Sequence, residues 1–236
     1  MTTLNLHKAC TVSSRPSQPL RITAFGDSLI YGYGDPVNGG WVEQLRRRWM
    51  ASEAGHVIYN LGVRGDTASQ VNQRLEQEFI LRGELRNKLP DLIILSVGVN
   101  DSPRVGKRDS NKSMTDCDRF TLEIVNLLDK AQSLCPVMFV GMVPVDESRM
   151  PFHDCLHFNH EDQFRYKEIT KSACHVRDIP YLDLFDLWQE RGQTWINEHL
   201  SEDGIHPNPE GYHAIYQDIL HWQPLIQLEQ LTSIQR

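Results

Sequence analysis

The feature that most constrains this chain is an alternation. Short runs rich in Ile, Val and Leu recur at Arg21–Phe25, Val57–Leu61, Leu92–Val97, Val137–Val143 and Tyr181–Leu184, and longer stretches with helical spacing separate them. Runs this short and this apolar suit strands buried on both faces. Between them, Trp41, Leu45 and Trp49 share one helical face and Val71, Leu75 and Phe79 share another, while Phe120, Ile124, Leu127, Leu128, Ala131 and Leu134 line a third. Segments near Glu161–Cys174 and Phe185–His199 supply further helices, and Asn208-Pro209 is an N-cap and first-turn pair for a last helix over Pro209–Leu220. Strand–helix alternation implies parallel strands joined by right-handed crossovers. The expected fold is therefore an α/β three-layer α/β/α sandwich with about five parallel strands. No linker or internal repeat interrupts the pattern, so 20–236 reads as one domain behind a flexible N-terminal tail, 1–19.

Charge and cysteine usage narrow the function. A formal net charge of -7 argues against a nucleic-acid binder working through a basic face. The tight basic run Arg46-Arg47-Arg48 lies inside an amphipathic segment and reads as a solvated helix face. Cys10, Cys117, Cys135, Cys155 and Cys174 are widely spaced with no C-x-x-C pair, which points away from a disulfide framework or a zinc ribbon and towards a reducing compartment. No apolar run approaches the ~20 residues that span a bilayer, and the N-terminus does not read as a signal peptide. The expected address is the cytoplasm, and oligomeric state is not legible.

Ligands of such a sandwich bind beyond the carboxyl ends of its strands, so the residues that follow each strand carry the functional information. After the first run comes Gly26-Asp27-Ser28-Leu29, after the second Asn60-Leu61-Gly62-Val63-Arg64-Gly65-Asp66, and after the third Gly98-Val99-Asn100-Asp101. Asp203-Gly204-Ile205-His206-Pro207 precedes the last helix and reaches the same edge if that helix packs back beside the first strand. These groups are chemically complementary. A serine hydroxyl needs a base to become a nucleophile, histidine is that base near neutral pH, and a carboxylate on its other ring nitrogen fixes the tautomer. Backbone N–H groups of Ser28 and Gly62 and the Asn100 amide are candidate oxyanion donors, each typically worth ~3–4 kcal/mol in the transition state. Asp27 and Asp101 read as supporting residues that order their loops. Gly65 reads as an ordinary turn glycine.

The four groups resemble the blocks of the SGNH hydrolases, also called the GDSL esterase/lipase family. Ser28 matches the serine of G-D-S-L, Gly62 the block-two glycine, Asn100 the asparagine of G-x-N-D, and Asp203 and His206 the D-x-x-H pair. All occur in family order over about Arg21 to Leu220. The resemblance implies a flavodoxin-like sandwich, a Ser28–His206–Asp203 triad, no cofactor and no metal. It also implies hydrolysis of small-molecule carboxylic esters or thioesters through an acyl-enzyme. The family also includes carbohydrate deacetylases, so the substrate stays open. No G-x-S-x-G elbow is present, which separates the chain from the α/β-hydrolase fold.

Other readings compete. O-deacetylation of small acetylated sugars would use the same triad, with Tyr31, Tyr33 and Trp41 as stacking surfaces or else as core. A non-catalytic phosphate- or flavin-binding module has only the loose glycines around Gly32 in its favour and lacks G-x-x-x-x-G-K-[ST]. His153, His157 and His160 sit together after the fourth run and read as a loop at the cleft rim, with metal ligation as the alternative. Arg104, Lys107 and Arg108 read as solvated charge, with an anionic head group as the alternative.

Overall fold

The computed structural model describes residues 19–52, 55–82 and 89–233. Apart from Pro19, the expected tail lies outside them. Among the described residues seven strands form: β1 (Arg21–Gly26), β2 (Val57–Gly62), β3 (Leu92–Ser96), β4 (Arg104–Val105), β5 (Val137–Val140), β6 (Leu156–His157) and β7 (Tyr181–Leu182). The helices are α1 (Ser28–Tyr31), α2 (Gly40–Ala51), α3 (Ala68–Leu81), α4 (Cys117–Leu134), α5 (His160–Val176), α6 (Leu184–Arg191), α7 (Gln193–His199), α8 (Pro209–Leu220) and α9 (Gln223–Ser233).

Five of the strands make one parallel sheet in the order β2-β1-β3-β5-β7. Its centre is apolar because it is covered twice. Every residue of β1, β3 and β5 is buried, whereas the edge strand β2 is buried only in part. The chain runs outward from β1 to β2, then crosses back over β1 to β3. Right-handed crossovers therefore place α2 on one face and α3, α4 and α5 side by side on the other. The helix faces read from the sequence are the ones that fill these layers: Trp41, Leu45, Trp49, Val71, Leu75, Phe79, Phe120, Ile124, Leu127, Leu128 and Ala131 are all buried. Several helix starts are fixed locally. Asp116, Asn159 and Asn208 accept backbone N–H bonds from Arg119, Asp162 and Gly211.

Three expectations need correction. The segment expected as one helix over 185–199 is two, because Gly192 adopts φ 91 between α6 and α7 and breaks the hydrogen-bond ladder. The helix over Pro209–Leu220 forms but is not the last: α9 follows it and buries Leu225. The loop expected after the fourth run contains β6, which pairs antiparallel with β4 (Arg104↔His157, Val105↔Leu156). This ribbon joins the loops that follow β3 and β5, and Arg104 pins it to α5 through Asp162 at 2.6 Å.

Among the described residues no helix is long and apolar enough to cross a membrane. The basic run of α2 is solvated as expected, with Arg46 on Glu43 and Arg48 on Glu229.

The last crossing decides what meets at the sheet's carboxyl edge. After β7 the chain returns through α6 and α7, and α8 packs against α2. There the buried Tyr212 hydroxyl lies 3.2 Å from Ser28 O and 2.9 Å from Tyr33 O. Ser28 O already accepts from Gly32 and Tyr33 N–H groups, so Tyr33 O depends more on the phenol. Tyr212→Phe keeps the ring's packing and removes this tie. Urea unfolding of that variant should show a loss of about 1–3 kcal/mol, the usual cost of orphaning a buried acceptor.

Candidate active site

The site lies beyond β1 and β3, where the strand order reverses. β1 ends at Gly26, whose lack of a side chain is required: a Cβ there would meet Ser96 O at 1.9 Å. Asp27 follows as the N-cap of α1, its Oδ1 accepting the Leu29 N–H at 2.9 Å. Ser28 is the first residue of that single turn and is 3% exposed.

The loop before α8 brings its partners. His206 Nε2 lies 2.8 Å from Ser28 Oγ, and His206 Nδ1 lies 2.6 Å from Asp203 Oδ2. The three-residue spacing works because Gly204 takes φ 71, which folds the loop so that Asp203 Oδ1 also accepts the Ile205 and His206 N–H groups at 2.9 and 3.0 Å. Burial disfavours the Asp203 carboxylate, but the His206 ring and these two N–H groups outweigh it and hold its pKa below the ordinary range. The loop is anchored by Ser201 N–H to His206 O and by Asp146 N–H to Gly204 O, both at 2.7 Å.

The donors expected around the serine divide differently from the sequence reading. Ser28 N–H, at the first helical position, has no acceptor among the described residues. Asn100 donates one Nδ2 hydrogen to Asp66 O at 3.0 Å and keeps the other. Gly62 is the correction. Its N–H is committed to Asn60 Oδ1 at 3.0 Å, and a Cβ on it would meet Tyr31 N at 2.2 Å, so it packs under the loop as a structural glycine. In the turn that follows, closed by Asp66 N–H to Val63 O at 3.2 Å, exposed Gly65 leaves its N–H without an acceptor among the described residues.

Beneath the cleft sits a group of buried acids. Burial, with added repulsion from Asp101 and Asp66, raises the Asp27 pKa to about 7 against the Leu29 N–H that lowers it, and Asp27 Oδ2 has no hydrogen-bond partner. Burial also raises Asp101 to about 6, opposed by the Ala68 N–H at 2.9 Å and the Thr115 hydroxyl at 2.7 Å. Asp66 is paired with Arg74 at 2.7 Å, and Arg74 also donates to Gly26 O at 2.9 Å. Arg74 thus ties the ends of β1 and the β2 loop together, a role with no signal in the sequence beyond its place on α3.

The alternatives also resolve. Trp41 is 1% exposed and belongs to the core, while Tyr31 is exposed and Tyr33 sets its ring against His206 at 4.7 Å. Asp27 caps the turn where a phosphate would otherwise sit, which places an acidic group against the phosphate- or flavin-binding reading. The three histidines of the rim do not converge. His160 Nε2 is on Val145 O at 2.6 Å, His157 is in the ribbon, and His153 meets the Phe152 ring edge-on. Among the described residues the group with ligand-like spacing is Glu168, Asp183 and Asp186, and Lys167 Nζ contacts all three acids at 2.7–3.2 Å.

None of the curated proteins matches the sequence. Among solved structures, the fold is similar to a lipase/acylhydrolase from Enterococcus faecalis (22% identity, TM-score 0.66, 85% of this chain and 93% of that one). It is also similar to a variant of an acetyl xylan esterase from Geobacillus stearothermophilus (17%, 0.66, 86% and 94%) and to a psychrotrophic esterase from Pseudoalteromonas sp. (16%, 0.62, 86% and 95%). These likenesses carry the five-stranded sheet and its two helical layers. The model of the GDSL-like lipase/acylhydrolase family matches residues 24–214, a span that takes in every loop of the cleft. The chain belongs to the GDSL-like lipase/acylhydrolase family and is an ester-hydrolysing enzyme.

Proposed function

We propose that the protein hydrolyses small carboxylic esters or thioesters through an acyl-enzyme on Ser28. His206 Nε2 takes the Ser28 Oγ proton as Oγ attacks the carbonyl carbon, and Asp203 stabilises the imidazolium. The tetrahedral oxyanion is held by the Ser28 N–H, the free Asn100 Nδ2 hydrogen and, in place of Gly62, the Gly65 N–H. Collapse expels the alkoxide or thiolate, which takes the proton back from His206. Water, deprotonated by the same ring, then attacks the acyl carbon and releases the acid and Ser28 Oγ–H. The observation that carries this reading is the continuous Ser28–His206–Asp203 hydrogen-bond chain of 2.8 and 2.6 Å.

Deacetylation of acetylated sugars remains the second reading. It is favoured by the Tyr33 ring beside His206 and by the likeness in fold to an acetyl xylan esterase. Acyl-chain length separates the two: rates that fall beyond two or three carbons favour deacetylation.

Ser28→Ala should abolish turnover of short p-nitrophenyl esters and labelling by a fluorophosphonate while leaving the circular dichroism spectrum intact. Residual turnover at the wild-type rate would exclude Ser28 as nucleophile. Asn100→Ala should lower kcat by about 10²–10³-fold, as removal of one oxyanion donor does.

The buried acid beside the nucleophile gives a pH signature. A carboxyl whose folded pKa, about 7, lies above its ordinary 3.8 stabilises the fold fully below pH 3.8 and loses that contribution as pH rises through 7. Asp27→Asn keeps the acceptor for Leu29 N–H but cannot ionise. Between pH 5 and pH 8 the unfolding free energy of the variant relative to wild type should shift in the variant's favour by on the order of 2–4 kcal/mol. A pH-independent difference would show that Asp27 carries no such penalty.

A further inference from the structure

Beside the site stands a cation with no counter-ion among the described residues. Arg64 is exposed on the loop after β2, and its guanidinium carbon lies 3.7 Å above the centroid of the Tyr33 ring. Arginines on other elements are spent on structure: Arg74 on Asp66 and Glu78, Arg104 on Asp162, Arg149 on Asp146. Arg104, one of the cations the sequence offered for an anionic head group, is thereby removed from that role. No carboxylate pairs with Arg64 among the described residues. Stacking on an aromatic face holds a guanidinium flat while leaving its in-plane N–H edge free for a bidentate acceptor. An acidic protein of net charge -7 does not attract anions by its overall field, so recognising one requires a local device of this kind.

The position of the device relates it to one side of the substrate. His206 returns its proton to the departing group, so the leaving group lies against His206. Tyr33 packs edge-on to the His206 ring, at 4.7 Å and 72°, and carries Arg64 on its face. Tyr33 therefore links the proton donor to the free guanidinium.

We propose that Arg64, stacked on Tyr33, binds a carboxylate or phosphate carried by the leaving group, so that the substrates are esters or thioesters of anionic alcohols or thiols. This rests on the acyl-transfer reading above, which assigns the leaving group to the His206 side. Arg64 is here a specificity-determining residue and takes no part in the bond changes.

Matched esters test it. The kcat/KM for 4-acetoxybenzoate, whose leaving group bears a carboxylate, is divided by that for phenyl acetate in wild type, Arg64→Gln and Arg64→Lys. The ratio should fall about tenfold or more in Arg64→Gln, the usual scale for losing a charge-assisted pair. Arg64→Lys should recover part of it, and 0.5 M NaCl should lower the wild-type ratio while leaving that of Arg64→Gln in place. Ratios within twofold across the three proteins would overturn the proposal. If wild type cleaves neither ester, calorimetric binding of 4-hydroxybenzoate to Ser28→Ala decides. Weaker binding when Arg64→Gln is added upholds the anion site and sinks the acyl-transfer reading alone, whereas unchanged or undetectable binding overturns the anion site as well.

Discussion

The cleft depends on one long-range closure, the packing of α8 against α2 beside the first strand. Ser28 and His206 are 178 residues apart in the chain, and their 2.8 Å contact exists only because the final crossing comes back from the far edge of the sheet. Tyr212 is the tie at that seam, a buried hydroxyl set between Ser28 O and Tyr33 O. A parallel sheet makes such a return natural. Its strands all point their carboxyl ends the same way, so any loop that reaches that edge joins the residues already collected there. Ser28 and Asn100 come from the loops of the central strands β1 and β3, which are flanked by strands on both sides, and His206 comes from the last loop to arrive.

The second constraint is electrostatic. Asp27, Asp66 and Asp101 lie buried beside Ser28, and Arg74 pairs with Asp66. Asp27 Oδ1 and both oxygens of Asp101 instead accept from backbone N–H groups and a hydroxyl, which fixes the geometry of two loops at once: Asp27 holds the turn that presents Ser28, and Asp101 holds the start of α3. Burial of a carboxylate is costly, and the upward shifts of both groups express that cost. The fold thus accepts poorly solvated acids where they position the loops that line the cleft.

Much of this was legible in the sequence, for reasons that vary from residue to residue. The central strands could be read because burial on both faces leaves an unbroken apolar run, and the helix over Pro209–Leu220 because Asn208 and Pro209 mark its start chemically. Asp203 and His206 could be read because their partnership is local, closed by a turn at Gly204. The reading of Gly62 as a donor and Gly65 as an ordinary turn glycine could not anticipate that the side chain of Asn60 captures the Gly62 N–H at the end of β2. Trp41 as core rather than sugar platform, and Arg74 as a clamp on Gly26 O, are equally tertiary facts. The break at Gly192 was within reach, but a glycine inside a helical pattern does not say whether it will be tolerated or will take a positive φ.

The same distinction between local and tertiary information governs the cations. Arg104, Lys107 and Arg108 form a basic cluster in the sequence, and clustering suggested a shared target. Folding divides its charges: Arg104 is half-buried and paired with Asp162, and exposed Arg108 extends towards Glu147 at 4.0 Å. Arg64 has no basic neighbour in the chain, yet it lies over the aromatic ring that abuts His206, with no acid paired to it among the described residues. What distinguishes a cation held available for a ligand is therefore the absence of an acid where its guanidinium comes to rest, together with a surface that keeps it there. Tyr33 supplies that surface. Because the same ring borders His206, the proposed anion site on Arg64 would set a charged leaving group alongside the proposed proton donor, and so couple recognition of charge to leaving-group departure.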